Sequence, residues 1–252
     1  MGIRGRTAAR LAGLLLGGLA LALTACEPTP IPTAPGTQRV VVLGDSIPSW
    51  LIRDGSAAID TTRLTVIDGT LEACDGAKDN PPARSRSGAI VPTPTACAKG
   101  WPSMYPPHLD IHADVAIVMT STHAMLDHRL DGTWRHPCHT PARDWYQADM
   151  AARLRYVATK ADRLVVVLPA WPGTNTGWIM PDDYVKRADC VRSVVKAAAK
   201  TAGATAVDFG TYLCPTGPSS CQPWRTKDGM HIDKPKAATV LGWLLAQAAP
   251  PP

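Results

Sequence analysis

Short, almost uninterrupted runs of apolar and β-branched residues punctuate this chain at Val40–Leu43, Leu64–Ile67, Asp114–Met119, Leu164–Leu168 and Ala204–Val207. Continuous rather than alternating apolar runs are the pattern of strands buried on both faces of a parallel sheet. The segments between and after them change period. Met150, Leu154 and Val157 recur at spacings of three and four within Trp145–Thr159. Val185, Val191, Val194 and Val195 do so within Asp182–Ala202, and Val240, Leu241, Leu244 and Leu245 within Pro235–Ala248. Each predicts a helix with one apolar side, and Gly203 stands where the second should stop. Strand, helix, strand repetition predicts an α/β domain in three layers, α/β/α, around a mostly parallel sheet.

Two stretches fit neither period. Leu71–Pro107 is rich in Pro, Gly, Ser and Ala, and holds two cysteines. Asp127–Pro141 contains Arg129, Asp131, Trp134, Arg135 and His136. Long irregular segments in compact domains are usually functional or braced. Both are expected to border a pocket at the carboxyl ends of the strands, where α/β sites lie.

The first 25 residues belong to another pattern. Arg4, Arg6 and Arg10 precede the apolar, glycine-punctuated run Leu11–Leu23, which is too short for a comfortable membrane span and ends in small residues. This is the layout of an export signal. Leu23-Thr24-Ala25-Cys26 resembles a bacterial lipobox, which implies a diacylglycerol thioether on Cys26 as the first mature residue; an ordinary cleaved signal peptide is the alternative. Residues 26–37 hold four prolines between Glu27 and Thr37 and read as an extended tether. The folded domain is expected over residues 38–248.

Cysteine usage agrees with export. Of seven cysteines, six remain once Cys26 is set aside, an even number suited to an oxidising compartment. Cys214 and Cys221 flank a short Pro-Thr-Gly-Pro-Ser-Ser loop and form the best local pair. Cys74 with Cys97 would close the first irregular stretch, and Cys138 with Cys190 follows by elimination. The formal charge of +5 includes the three leader arginines, and no Lys/Arg run suggests a nucleic-acid surface. The chain is expected to be a monomer that meets a membrane only through its lipid.

The candidate chemistry sits at the two ends of the domain. The first strand runs directly into Gly44-Asp45-Ser46, and Asp228-Gly229-Met230-His231 precedes the last helix. Ser46 should sit on the turn into a helix, where free backbone N–H groups and a partial positive charge favour an anion. Serine is a weak nucleophile unless a base takes its proton; His231 is that base and Asp228 its orienter. Asp45 would cap the turn after it. Neither motif is specific alone, since both sequences are common in turns. It is their joint placement that marks a serine-hydrolase constellation.

These blocks resemble the SGNH, or GDSL-type, hydrolase family. The resemblance implies a flavodoxin-like sandwich and an esterase that acts on acyl esters, acetyl among them, through an acyl-serine and without cofactor or metal. Tyr212-Leu213-Cys214-Pro215, the nearby Cys221, and Asp127–Trp134 are similar to SGNH domains of bacterial exported acyltransferases. That points to a small-molecule or glycan ester as substrate at the extracytoplasmic face of the cell membrane. The family usually takes oxyanion donors from a Gly and an Asn in its middle blocks, and no Gly-x-Asn-Asp occurs here. The candidates are backbone N–H groups of Ser46, Gly69, Ala73 or Gly76, and Ser121, Thr122 or His123 after the third strand. Two rivals stand beside the esterase: an O-acyltransferase acting on envelope glycan, and a non-catalytic envelope-binding lipoprotein that lost its oxyanion hole. The histidines at 108, 112, 123, 128, 136 and 139 lack the spacing of a zinc site. Trp101, Trp134, Trp171, Trp178 and Trp224 are candidates for a cleft wall or for the core.

Overall fold

The computed structural model describes residues 36–120 and 122–248. The expected leader over 1–25, the lipidation of Cys26, nearly all of the 26–37 tether and Ser121 lie outside the described residues.

The chain forms β1 (Gln38–Gly44), α1 (Ser46–Gly55), β2 (Leu64–Thr70), β3 (Ala83–Arg84), α2 (Trp101–Met104), α3 (Pro106–Leu109) and β4 (Ala113–Met119). It continues with β5 (Asp127–Leu130), β6 (Thr133–Arg135), α4 (Ala142–Ala158), β7 (Ala161–Leu168), α5 (Tyr184–Thr201), β8 (Thr205–Asp208), α6 (Phe209–Leu213) and α7 (Lys234–Ala246). The main sheet is parallel throughout, in the order β2-β1-β4-β7-β8. Counting only its five strands, this is the 2-1-3-4-5 order of flavodoxin-like folds. The expected three-layer architecture is present.

Strand pleating explains why the apolar runs are continuous. Val41, Leu43, Ala116, Val118, Leu164 and Val166 face one core with Met150 and Leu154 of α4 and Val191 and Val195 of α5. Their neighbours Val40, Val42, Val115, Ile117, Val165 and Val167 face the other core with Leu51 of α1 and Val240 and Leu241 of α7. Successive side chains of a strand point to opposite faces, so a strand covered on both sides must be apolar at every position.

The irregular stretches are braced. Cys74 and Cys97 are disulfide-bonded, as are Cys214 and Cys221. Arg153 of α4, fully buried, donates to Asp149 Oδ2 at 3.1 Å and to the Asp75 carbonyl at 3.0 Å. Trp101 Nε1 donates to Asp149 Oδ1 at 3.0 Å. Together these tie Leu71–Pro107 to the α4 side of the core. The second stretch is not irregular: β5 and β6 form a hairpin, and β3 pairs with β5 in a separate antiparallel sheet. Asp131 (φ 49°) and Gly132 (φ 75°) make its turn, as an Asp-Gly pair favours. Arg187 of α5 pins this hairpin by pairing with Asp127 at 2.7 Å.

The third expected disulfide is corrected. Cys138 and Cys190 are free thiols. They face each other and share a hydrogen bond, which with partial burial pushes the Cys138 thiol up. The Cys138 and Cys190 sulfurs also lie 3.9 Å from the Lys186 and Pro137 carbonyl oxygens, respectively. No helix among the described residues is long and apolar enough to cross a membrane.

Candidate active site

β1 delivers Ser46 to the carboxyl edge of the sheet at its switch point, with β2 on one side and β4 on the other. Gly44 is required there: a Cβ at this position would lie 2.6 Å from the Met119 carbonyl oxygen and 2.7 Å from Pro48 Cγ. Asp45 caps α1, its Oδ1 accepting from Ile47 N at 3.1 Å. Ser46 is therefore the first residue of the helix, among backbone N–H groups that the helix itself leaves unpaired.

The segment before α7 carries the other two groups. Thr226 N donates to the His231 carbonyl at 2.9 Å, and buried Arg225 donates to the Met230 carbonyl and, at 2.9 Å, to the Trp171 carbonyl. Gly229, at φ 71°, packs on the 174–178 turn so closely that a Cβ would meet Thr176 Cγ2 at 2.8 Å. These contacts hold His231 against Ser46. His231 Nε2 lies 2.8 Å from Ser46 Oγ, and His231 Nδ1 lies 2.6 Å from Asp228 Oδ2.

The proton positions follow from the carboxylate. Burial raises the pKa of Asp228, but hydrogen bonds from the Thr226 hydroxyl, His231, and the Met230 and His231 backbone outweigh it and leave it at about 2. An ionised carboxylate only accepts. His231 Nδ1 therefore carries the proton, and the bare Nε2 accepts from the Ser46 hydroxyl.

An aromatic residue that the sequence did not single out completes the base. Trp50 stacks on His231 with ring centres 3.8 Å apart and planes 17° from parallel. Trp50 Nε1 donates to Glu72 Oε1 at 3.0 Å, and the Arg53 guanidinium lies 4.7 Å from the indole centre. The signal was present: Trp50 is four residues after Ser46 on a helix, which puts both on one side.

Ser46 and His231 open into a cavity of about 310 Å³. Val91, Leu126, Ile179, Met180 and Met230 supply its apolar wall, with Glu72 and Trp50 also at its margin. Of the oxyanion candidates, Ala73, Thr122 and His123 line it together with Ser46. Gly69 and Gly76 do not belong to it. Gly69 lies within β2, where a Cβ would meet Leu43 Cδ2 at 2.6 Å, and a Cβ at Gly76 would meet Nη1 of the buried Arg153 at 3.2 Å. Burial keeps His123 neutral, lowering it to about 4 against the pull of Asp75, so one ring nitrogen bears a hydrogen at neutral pH.

Trp134, Trp171 and Trp224 serve elsewhere. Trp171 donates to Asp189 at 2.7 Å and stacks under Arg192, Trp134 lies under Arg84, and Trp224 packs beside Tyr212. Among the described residues, no group of three or more His, Cys, Asp or Glu side chains is arranged to hold a metal ion.

No protein-family model matches this chain, and no curated protein sequence does. Solved structures do. The chain is similar to a lipase/acylhydrolase from Enterococcus faecalis, at 12% identity and TM-score 0.54, over 84% of this chain and 94% of that one. It is similar to a GDSL-like lipase from Bacteroides thetaiotaomicron, at 14% identity and TM-score 0.55, over 84% and 87%. An alpha/beta hydrolase enzyme from the metagenome of Lake Arreo, Spain, aligns at 14% identity and TM-score 0.52, over 84% and 94%. At such identities the shared property is the fold, and what the site does rests on its own residues.

Proposed function

We propose that this protein is a serine esterase of the SGNH (GDSL-type) class. One observation carries the reading: Ser46 Oγ, His231 and Asp228 form a continuous hydrogen-bonded line of 2.8 and 2.6 Å at the mouth of an apolar cavity. Ser46 Oγ attacks the ester carbonyl carbon while its proton passes to His231 Nε2. Negative charge collects on the carbonyl oxygen, next to the N-terminus of α1. The backbone N–H of Ser46 and a donor from Ala73, Thr122 or His123 receive it; one such donor is worth about 10²–10³ in turnover. His231 then protonates the departing alcohol oxygen as the carbon–oxygen bond breaks, leaving an acyl-serine. Water, deprotonated by His231, attacks that acyl-serine and releases the acid. Asp228, ionised throughout, holds the ring and balances the imidazolium.

The same acyl-serine could be resolved by a sugar hydroxyl instead of water. The likeness of Asp127–Trp134 and of the Cys214–Cys221 region to SGNH domains of exported acyltransferases favours this second reading. The leader and lipobox support export and a lipid anchor on Cys26. Turnover of short p-nitrophenyl esters separates an enzyme from a binding protein, which would give none. Added acceptor glycan that takes up the acyl group at the expense of free acid identifies a transferase. Replacement of Cys26 by Ser should release the protein from the membrane fraction; retention there contradicts the anchor.

A further inference from the structure

The cavity is chemically divided, and the strand order says which way a substrate lies in it. Glu72 follows β2, on one side of Ser46; Leu126 follows β4, and Ile179 and Met180 follow β7, on the other. His231 belongs to the first side, since it stacks on Trp50, which in turn donates to Glu72. The atom that His231 must protonate is the leaving alcohol oxygen. The alcohol half of an ester therefore rests over Trp50 and the exposed Glu72, and the acyl half is directed into the apolar wall.

That wall is built, not incidental. Leu126 and Met180 are 1% exposed and Ile179 8%. Arg86 N donates to the Ile179 carbonyl at 2.9 Å, and the Arg86 side chain pairs with Asp182 at 2.8 Å, so the 83–91 segment is clasped to the 179–182 segment. Val91, partly buried, completes the trough at its outer edge. An acetyl group would leave most of the cavity of about 310 Å³ to water, whereas a longer chain fills it and withdraws its own methylenes from solvent.

Resting on the esterase reading, we infer that the Val91–Leu126–Ile179–Met180 trough is an acyl-chain site, and that the preferred substrates are esters of medium-chain acids, butyryl to octanoyl, rather than acetyl esters. Each methylene taken from water into the trough is worth about fourfold in kcat/KM, or on the order of a hundredfold over the four methylenes from acetate to hexanoate. A chain longer than the trough gains nothing further.

The test is kcat/KM for p-nitrophenyl acetate, butyrate, hexanoate, octanoate and laurate on the wild-type protein, with labelling of Ser46 by a small fluorophosphonate in parallel. The expected profile rises to hexanoate or octanoate and falls at laurate. Val91→Trp, at a partly exposed edge of the trough, should collapse the hexanoate-to-acetate ratio at least tenfold, and Ile179→Ala should move the optimum to a longer chain. A profile that is flat or highest at acetate, with Ser46 still labelled, overturns the acyl site and leaves the esterase standing. Neither labelling nor turnover removes both. The wild-type profile decides even if a variant folds poorly.

Discussion

Replacing Asp228 by Asn should disable the base without dismantling its surroundings. Oδ1 of Asp228 accepts from Thr226 Oγ1 at 2.6 Å, Met230 N at 2.7 Å and His231 N at 3.0 Å, while Oδ2 faces His231 Nδ1 at 2.6 Å. An amide can place only one oxygen. Set toward the three donors, its NH₂ faces Nδ1 and forces that nitrogen to accept. Nε2 then carries the ring proton and cannot take one from Ser46. The opposite flip would restore the tautomer but leave the Met230 and His231 N–H groups facing an NH₂, with only the Thr226 hydroxyl able to turn and accept. At about 1 kcal/mol or more for each unsatisfied group, that costs at least ~2 kcal/mol, so the inactive arrangement prevails. A wrong tautomer lowers kcat by about 10⁴, or ~5.4 kcal/mol in the barrier. Loss of the base itself in His231→Ala should cost more, on the order of 10⁶. Stopped assays on p-nitrophenyl butyrate, with circular dichroism to confirm folding, measure both. An Asn variant within tenfold of wild type would refute the assignment of Asp228 as the group that sets the tautomer.

Three further outcomes follow from the site and its supports. Trp50→Leu should lower kcat about tenfold, because the indole face stabilises the imidazolium by roughly 1–2 kcal/mol; Trp50→Phe should recover most of it, and equal loss of kcat in both variants would leave Trp50 a packing role only. His123 titrates at about 4 when folded against its ordinary 6.5. The unfolded chain therefore binds more protons between these values, and stability, complete above pH 6.5, should decline toward pH 4 by about 3 kcal/mol; a His123→Asn variant whose thermal melts show the same slope would contradict this. Non-reducing peptide maps should show Cys74–Cys97 and Cys214–Cys221 bonded with Cys138 and Cys190 alkylatable, and a Cys138–Cys190 peptide would overturn the last point.

What the sequence made legible was whatever many residues state together. The three central strands β1, β4 and β7 are buried on both faces, so runs such as Val40–Leu43 and Leu164–Leu168 announce themselves, and α4, α5 and α7 carry their apolar spacing over several turns. The small sheet was missed because Ala83–Arg84 is too short to show any period, and because β5 and β6 are short and mostly polar, with only His128 buried. The Asp131-Gly132 turn was the available clue. Ser46, Asp228 and His231 were legible because chemistry limits which residue types can fill those roles. The oxyanion side was not, since a backbone N–H has no side-chain signature: Gly69, Ala73 and Gly76 were equivalent in sequence, and only the path of the chain after β2 brings Ala73 to the cavity. Trp50 and Glu72 went unnoticed because their role depends on packing against a ring that arrives from the far end of the chain.

The central claim is that Ser46 is a nucleophile activated by His231. The most direct measurement is reaction of the folded, disulfide-bonded protein with a fluorophosphonate, followed by mass spectrometry of the modified peptide. A single adduct on Ser46 is expected, absent in Ser46→Ala and nearly absent in His231→Ala, while ester turnover by the double variant should be hardly slower than by either single one, because the two groups act as a unit. A folded wild-type protein that carries no adduct on Ser46 would contradict the account and leave a binding protein in its place.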